Sequence, residues 1–140
     1  MKLKLILLAG LFAFGYAASA TAGSVADVDG DGVPDVFDNC STIANGMNEP
    51  DINQLDSDMD GFGNICDPDY DNDGLVTATD FGIFLSAFPS PPVTFNPDVD
   101  HDGSGDITAA DFGTFIAFFP SPGVPGPSGL SCAGTIPCKP

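Results

Sequence analysis

Basic residues are scarce in this sequence, and tryptophan is absent. Three lysine and arginine residues stand against 20 acidic residues in a chain of 140, so the net charge is −17. Nucleic acids and anionic membranes repel such a chain, which excludes nucleic acid as a partner. The charge also opposes folding unless cations neutralise it. With one histidine and no CxxC motif, a zinc site is disfavoured as well.

A long apolar run occurs at the N-terminus and has no counterpart further along the chain. Lys2 and Lys4 precede the apolar residues 5–18, and small residues follow. This order is typical of a secretory signal peptide over residues 1–22, so we expect a secreted chain with no membrane span after cleavage. A membrane anchor is the alternative, but the run is short for a span. The mature chain would keep one basic and all 20 acidic residues, which gives a net charge of −19.

The aspartates of residues 69–80 follow a fixed spacing. They stand at places one, three, five and twelve, and glycine stands at place six. Alternating carboxylates in a tight loop can converge on one cation, while the glycine allows the sharp turn and place seven offers its backbone oxygen. Four carboxylates this close repel one another, so a hard divalent cation is the natural counter-charge. The spacing is that of an EF-hand-type calcium loop.

The same spacing occurs four times, and we number the loops in chain order. Loop 1 covers residues 27–38, loop 2 residues 56–67, loop 3 residues 69–80 and loop 4 residues 100–111. Four loops predict about four Ca²⁺ ions, with place seven binding through its backbone oxygen. The predicted ligands of loops 1 and 2 are Asp27, Asp29, Asp31, Val33, Asp35, Asp38, Asp56, Asp58, Asp60, Phe62, Asn64 and Asp67. Those of loops 3 and 4 are Asp69, Asp71, Asp73, Leu75, Thr77, Asp80, Asp100, Asp102, Ser104, Asp106, Thr108 and Asp111.

Two apolar patterns follow loops 3 and 4. In each, the apolar residues are spaced as one face of a helix, so we predict two short helices with one apolar stripe each. The stripe residues are Phe81, Phe84, Leu85 and Phe88 in the first helix and Phe112, Phe115, Ile116 and Phe119 in the second. Helices this short are unstable alone in water, so we expect the stripes to pack together as a core. A ligand groove is the alternative, and Pro89 and Pro120 are expected to end the helices.

Outside the two helices we expect little regular structure. Residues 24–67 have almost no helical periodicity, residues 89–97 form a proline-rich connector, and residues 120–140 are rich in proline and glycine. The last segment could be a spacer or a loose tail. His101 stands at a place that does not bind metal, and we expect it to be a solvated loop residue. The predicted fold is small, mostly irregular and calcium-stabilised, with two short α-helices and few or no β-strands.

Two segments resemble thrombospondin type 3 repeats. Residues 27–40 have the sequence DVDGDGVPDVFDNC, and residues 53–67 have the sequence NQLDSDMDGFGNICD. The resemblance implies a chain with little regular structure that wraps around a row of calcium ions. It also implies disulfides that join neighbouring repeats.

The four cysteines are expected to form disulfides because the chain is expected to be exported. Four cysteines allow three pairings, and the sequence alone does not choose among them. Cys40 and Cys66 lie at positions that resemble the bridges of thrombospondin type 3 repeats. Cys132 and Cys138 would close a small loop near the C-terminus. We predict the pairings Cys40–Cys66 and Cys132–Cys138.

Residues 68–119 resemble dockerin modules, in which paired calcium loops of the EF-hand type are each followed by one helix. Aspartate rather than glutamate at place twelve, Asp80 and Asp111, contributes to this resemblance. It implies a docking module that a partner domain holds. The predicted organisation is a signal peptide at 1–22, thrombospondin type 3-like repeats at 23–67, a dockerin-like module at 68–119 and a tail with a small disulfide loop at 120–140.

No histidine pairs with a nucleophile in a recognised frame, and the aspartates that could serve glycoside hydrolysis are expected to bind metal. We therefore predict that the protein is not an enzyme. The sequence predicts a secreted, calcium-binding structural or adhesion module, extracellular or at the cell surface. The alternatives are a docking module bound by a partner protein and a subunit of an extracellular assembly. Such an assembly would join through exposed phenylalanines or through the proline-rich tail.

Overall fold

The computed structural model describes residues 25–88, 95–119 and 123–139. The predicted signal peptide lies outside these residues, as do Pro89 and Pro120, which were expected to end the helices.

The described chain forms two α-helices, α1 (Ala78–Ala87) and α2 (Ala109–Phe118), and three short 3₁₀ turns. The 3₁₀ turns are Asp35–Phe37, Asn64–Cys66 and Pro97–Val99. These residues contain no β-strand, and one isolated antiparallel bridge joins Val76 to Gly123. The predicted fold class, small and mostly irregular with two short helices, is confirmed. In the part of the chain that the structure describes, no helix has the length and apolar character to cross a membrane.

The last residues of loops 3 and 4 begin the two helices. At α1, the Thr77 hydroxyl accepts a hydrogen bond from the Thr79 N–H at 3.1 Å. The Asp80 carboxylate accepts one from the Thr77 N–H at 2.7 Å. Thr108 and Asp111 form the same capping box at α2. This reciprocal capping satisfies N–H groups that the first turn of a helix leaves without a partner.

The two apolar stripes pack against each other, as predicted. Phe84 and Phe115 are buried with ring centroids 5.7 Å apart. Val76 and Ile107, which stand at place eight of loops 3 and 4, belong to the same core. The stripes are only partly core, because their outer members stay at least 38% exposed. These outer members are Leu85, Phe88, Ile116 and Phe119.

Residues 123–139, which we call the strap, cross loops 1, 2 and 3. The strap contains no helix or strand, in agreement with the predicted irregular tail. It donates backbone hydrogen bonds from Gly126 to Cys66, from Gly129 to Asp38, from Gly134 to Asp60 and from Cys138 to Met59. The expectation of a spacer or a loose tail is therefore wrong for these residues. The loops present unpaired carbonyl groups, and the strap supplies donors for them.

His101 is fully buried, which contradicts the prediction of a solvated residue. Its Nε2 lies 2.8 Å from the Tyr70 hydroxyl, and its Nδ1 contacts the backbone carbonyl oxygen of Asn64. Burial lowers the pKa of the imidazole and so favours the neutral ring. Tyr70 and His101 occupy place two of loops 3 and 4, and their side chains contact each other between the two loops. Such a contact between loops has no local signal in the sequence.

Candidate metal centres

Each of the four loops gathers three carboxylates. In each group, one oxygen of every carboxylate lies within 4.8 Å of the others. The groups are Asp27, Asp29 and Asp31; Asp56, Asp58 and Asp60; Asp69, Asp71 and Asp73; and Asp100, Asp102 and Asp111. The first three groups use places one, three and five. Loop 4 uses place twelve instead, because Ser104 stands at its place five.

The backbone of each loop holds the first carboxylate in position. In every loop the aspartate at place one accepts a hydrogen bond from the N–H of the glycine at place six. These bonds are Asp27 with Gly32, 3.2 Å; Asp56 with Gly61, 3.0 Å; Asp69 with Gly74, 2.7 Å; and Asp100 with Gly105, 2.8 Å. All four glycines have φ between 85° and 96°. Glycine adopts this left-handed conformation without strain, which explains its place in the spacing.

Place five orients place seven. The side chain at place five accepts a hydrogen bond from the N–H at place seven in all four loops. The pairs are Asp31 with Val33, Asp60 with Phe62, Asp73 with Leu75 and Ser104 with Asp106. In loop 4 the Ser104 hydroxyl also donates to the Asp106 carbonyl at 3.0 Å. The predicted backbone ligand of loop 4 is thus already engaged.

Place nine closes loops 1 and 2. Asp35 Oδ1 accepts a hydrogen bond from the Val28 N–H at 2.8 Å. Asn64 Oδ1 accepts the equivalent bond from the Ser57 N–H at 2.9 Å. Oδ1 of each predicted place-nine ligand therefore ties place nine to the second residue of the loop.

In loops 3 and 4, the aspartate at place twelve closes the loop instead. Asp80 Oδ1 accepts a hydrogen bond from the Asp71 N–H at 3.3 Å. Asp111 Oδ1 accepts one from the His101 N–H at 2.9 Å. Both aspartates are fully buried, and each also caps its helix. In these two loops the residue that closes the loop is also the residue that starts the helix.

Loop 1 contains two buried carboxylate oxygens that accept no hydrogen bond, Asp29 Oδ2 and Asp38 Oδ2. Asp38 is fully buried, and its Oδ1 accepts bonds from the Cys40 N–H at 2.9 Å and from Gln54 Nε2 at 2.8 Å. A buried carboxylate oxygen without a partner is costly, and a coordinated cation satisfies it. Carboxylate and carbonyl oxygens are the ligands that Ca²⁺ prefers. The residues of this loop therefore fit a calcium ion.

Loops 2 and 3 adjoin each other, and their carboxylates raise one another's pKa. Burial, followed by the neighbouring Asp60, raises the pKa of Asp67 to about 9. Burial also raises the pKa of Asp60 and of Asp69 to about 6. Asp98, which was not among the predicted ligands, has its pKa raised to about 6 by burial and by nearby Asp58 and Asp56. A divalent cation would offset this concentration of negative charge.

Three amide side chains support loop 1, and the sequence analysis missed them. Gln54 Nε2 donates to Asp38 and also to Asn45 Oδ1 at 2.8 Å. The Asn45 N–H donates to Asp31 Oδ2 at 2.9 Å, and Asn45 Nδ2 donates to Asn39 Oδ1 at 2.7 Å. Asn39 and Asn45 are buried. These residues follow no helix or strand period. The one local signal is their position, since Asn39 directly precedes Cys40 while Asn45 and Gln54 lie between Cys40 and Cys66.

The structure contains both predicted disulfides. Cys40–Cys66 joins the end of loop 1 to the end of loop 2, and both side chains are buried. Cys132–Cys138 closes a short loop within the strap. The first bridge fixes two candidate metal loops side by side.

Comparison with known proteins finds a similarity over part of the chain. Residues 26–48 and 55–80 match the family model of the thrombospondin type 3 repeat. The second match extends through loop 3, beyond the segment 53–67 that carried the resemblance in the sequence. No curated protein and no solved structure matches the chain. The dockerin-like character of residues 68–119 stays a prediction. Loops 1 to 3 are thus similar to thrombospondin type 3 repeats, which are extracellular, calcium-binding structural modules.

Proposed function

We propose that this protein is a secreted calcium-binding structural module whose four loops together bind about four Ca²⁺ ions. The observation that carries the proposal is a cluster of three carboxylates in each of four loops that share one twelve-residue spacing, in a chain with a net charge of −17. A solvated acidic surface does not require that spacing. Calcium binding does, because its ligands come from fixed places of a twelve-residue loop.

The residues that would hold calcium are those at places one, three, five, seven and twelve. In loops 1 and 2, place nine supports them by closing the loop. In loop 1, the buried Oδ2 atoms of Asp29 and Asp38 support this assignment. When bound, calcium would supply positive charge and a common partner for these oxygens. The chain itself already orients the carboxylates through backbone N–H groups.

The proposed consequence of binding is rigidity. Residues 25–67 contain no α-helix or strand, so their order depends on hydrogen bonds to carboxylates, on one disulfide and on metal. Without cations, the clustered aspartates repel one another and oppose this arrangement. Calcium would thus convert a flexible acidic segment into a fixed spacer outside the cell.

Calorimetric titration of the full chain with calcium, using two variants of similar chemistry, tests the proposal. Asp38→Asn keeps the shape of a fully buried side chain but removes its charge, and we expect the loss of one equivalent of bound calcium. Asp51→Asn changes an exposed aspartate outside the loops and should keep all equivalents. Equal stoichiometry in both variants would show that loop 1 does not bind through Asp38.

A second candidate function, a docking module or a subunit of an extracellular assembly, is favoured by one surface feature. An apolar groove of about 150 Å³ lies between α1 and α2. Its lining residues are Phe81, Phe112, Phe115, Ile116 and Phe119. A pull-down from the secreted fraction of the source, with wild type and Ile116→Asp in calcium, tests it. Partners that bind wild type but not the variant would support docking, and equal recovery would argue against it.

A further inference from the structure

We propose that the strap is a calcium-linked clasp on loop 2. Its docking positions the metal-binding turn of loop 2, and metal in loop 2 holds the strap in place. The inference rests on the proposed calcium binding and adds which segment outside the loops controls it.

Three consecutive carbonyl groups of loop 2 accept hydrogen bonds from the strap. Met59 accepts from the Cys138 N–H at 2.6 Å, and Asp60 accepts from the Gly134 N–H at 2.9 Å. Gly61 accepts from the Ser128 hydroxyl at 2.6 Å. These acceptors are places four to six, the turn that sets the position of the Asp60 carboxylate.

The strap bonds to loops 1 and 3 at different places. In loop 1, the acceptor is the carbonyl of Asp38 at place twelve. In loop 3, the Val76 N–H at place eight donates to the Gly123 carbonyl at 2.9 Å. These contacts with the strap therefore reach the turn at places four to six in loop 2, whereas in loops 1 and 3 they reach other places.

The strap also lies close against the backbone of this turn. A Cβ atom added at Gly61 would lie 2.5 Å from the Cys138 sulfur and 2.9 Å from the Ala133 Cα. A Cβ added at the equivalent Gly32, Gly74 or Gly105 would have no neighbouring atom within 4 Å. Two features of loop 2 thus require glycine at place six. One is its φ of 96°, and the other is the close approach of the strap.

The strap completes the wall of a cavity between two candidate metal loops. The cavity has a volume of about 180 Å³, and its lining includes the buried Asp60 and Asp69 together with Pro125, Gly134 and Ile136 of the strap. A strap that binds the ordered turn better than the disordered one must favour metal binding at that turn. Linkage makes this reciprocal, since two binding events that stabilise one conformation strengthen each other.

Hydrogen exchange measured by mass spectrometry on the full oxidised chain, over a calcium titration, tests the clasp. We expect strap residues 126–138 to become protected at the same calcium concentration as residues 58–62. Asp58→Asn removes a place-three carboxylate of loop 2 and should abolish the calcium-dependent protection of the strap. Asp102→Asn is the matched control, because both carboxylates accept the place-five N–H at 3.1 Å, and it should leave strap protection unchanged.

Ser128→Ala tests the reverse direction without altering any loop. The variant loses the hydrogen bond to the Gly61 carbonyl and the bond from the Leu130 N–H within the strap. This loss should raise the calcium concentration that protects residues 58–62 by about three- to tenfold. The midpoint for residues 100–106 of loop 4 should not move. An unchanged midpoint at loop 2 would overturn the proposal.

Counting bound ions by native mass spectrometry separates the two levels of failure. A chain that binds about four calcium ions, yet protects its strap equally with calcium and with chelator, overturns the clasp alone. A chain that binds no calcium overturns the clasp and the proposed function together.

Discussion

Residues 25–67 and 68–119 use the same acidic spacing but have different interiors. In residues 25–67, Cys40 and Cys66 are the only buried apolar side chains, and the amides of Asn39, Asn45 and Gln54 form a hydrogen-bonded chain. In residues 68–119, the place-twelve aspartates start helices whose phenylalanines form a core. A twelve-residue acidic loop therefore specifies a candidate metal site and not what surrounds it. The residues that follow place twelve decide whether packing or cross-linking supports the loop.

The largest expected effect is the loss of stability when the aromatic core of residues 68–119 is truncated. Phe84→Ala removes a fully buried ring from contact with Phe112 and Phe115. Such truncations cost about 3–5 kcal/mol, so we expect α1 and α2 to lose most of their circular dichroism signal. Phe88→Ala, which removes a ring that is 38% exposed, is the control and should cost less. Similar losses in both variants would mean that the core does not hold the helices together.

The second effect concerns residues 25–67, which the Cys40–Cys66 disulfide cross-links. Replacing Cys40 and Cys66 by alanine removes a bridge that spans 26 residues, for which chain-entropy models give about 3 kcal/mol. We expect calcium-loaded residues 25–67 to become susceptible to protease while α1 and α2 remain intact. Cys132→Ala with Cys138→Ala, which opens a bridge spanning 6 residues, serves as the comparison. If the helices unfold together with residues 25–67, the two regions are not independent.

Much of the molecule is predictable from sequence because its signals are local. The four loops and the apolar stripes of the two helices follow from spacings within about 20 residues. The buried His101, the amides around Asp38 and the docking of the strap were not predictable. They depend on long-range contacts, such as the Ser128 bond to Gly61 across 67 residues, and no local period encodes these.

The third prediction uses pH to compare metal-free and metal-bound protein. The pKa values of Asp60 and Asp69 are raised to about 6 and that of Asp67 to about 9, mainly by burial. Because these pKa values exceed the unfolded value of about 3.9, protonation stabilises the metal-free fold. That stability is fully present below about pH 3.9 and is lost as the pH rises through the raised values.

Thermal unfolding of the full chain from pH 4 to pH 8 gives the measurement. Without calcium, the melting temperature should fall as the pH rises. With calcium, it should rise, since the metal needs ionised carboxylates and competes with protons. A metal-free chain that becomes more stable towards pH 8 would contradict the arrangement of carboxylates in loops 2 and 3.

The smallest expected effect distinguishes loop 4 from loop 3. Ser104→Asp restores a carboxylate at place five and removes the hydroxyl that now donates to the Asp106 carbonyl. We expect calcium to bind loop 4 more tightly, because ligand charge count tunes the affinity of such loops. Asp73→Ser at the same place of loop 3 should weaken that loop in turn. Unchanged affinity in Ser104→Asp, measured by calorimetry, would show that ligand number does not limit loop 4.

The central claim is that both regions bind calcium through the same loop, in spite of their different interiors. Native mass spectrometry of the oxidised chain in calcium tests it most directly. About four bound ions, two of them lost together when the ligands of loops 1 and 2 are replaced, is the result that the account predicts. Two ions or fewer in the unaltered chain would contradict it, because residues 68–119 alone could then account for all the binding.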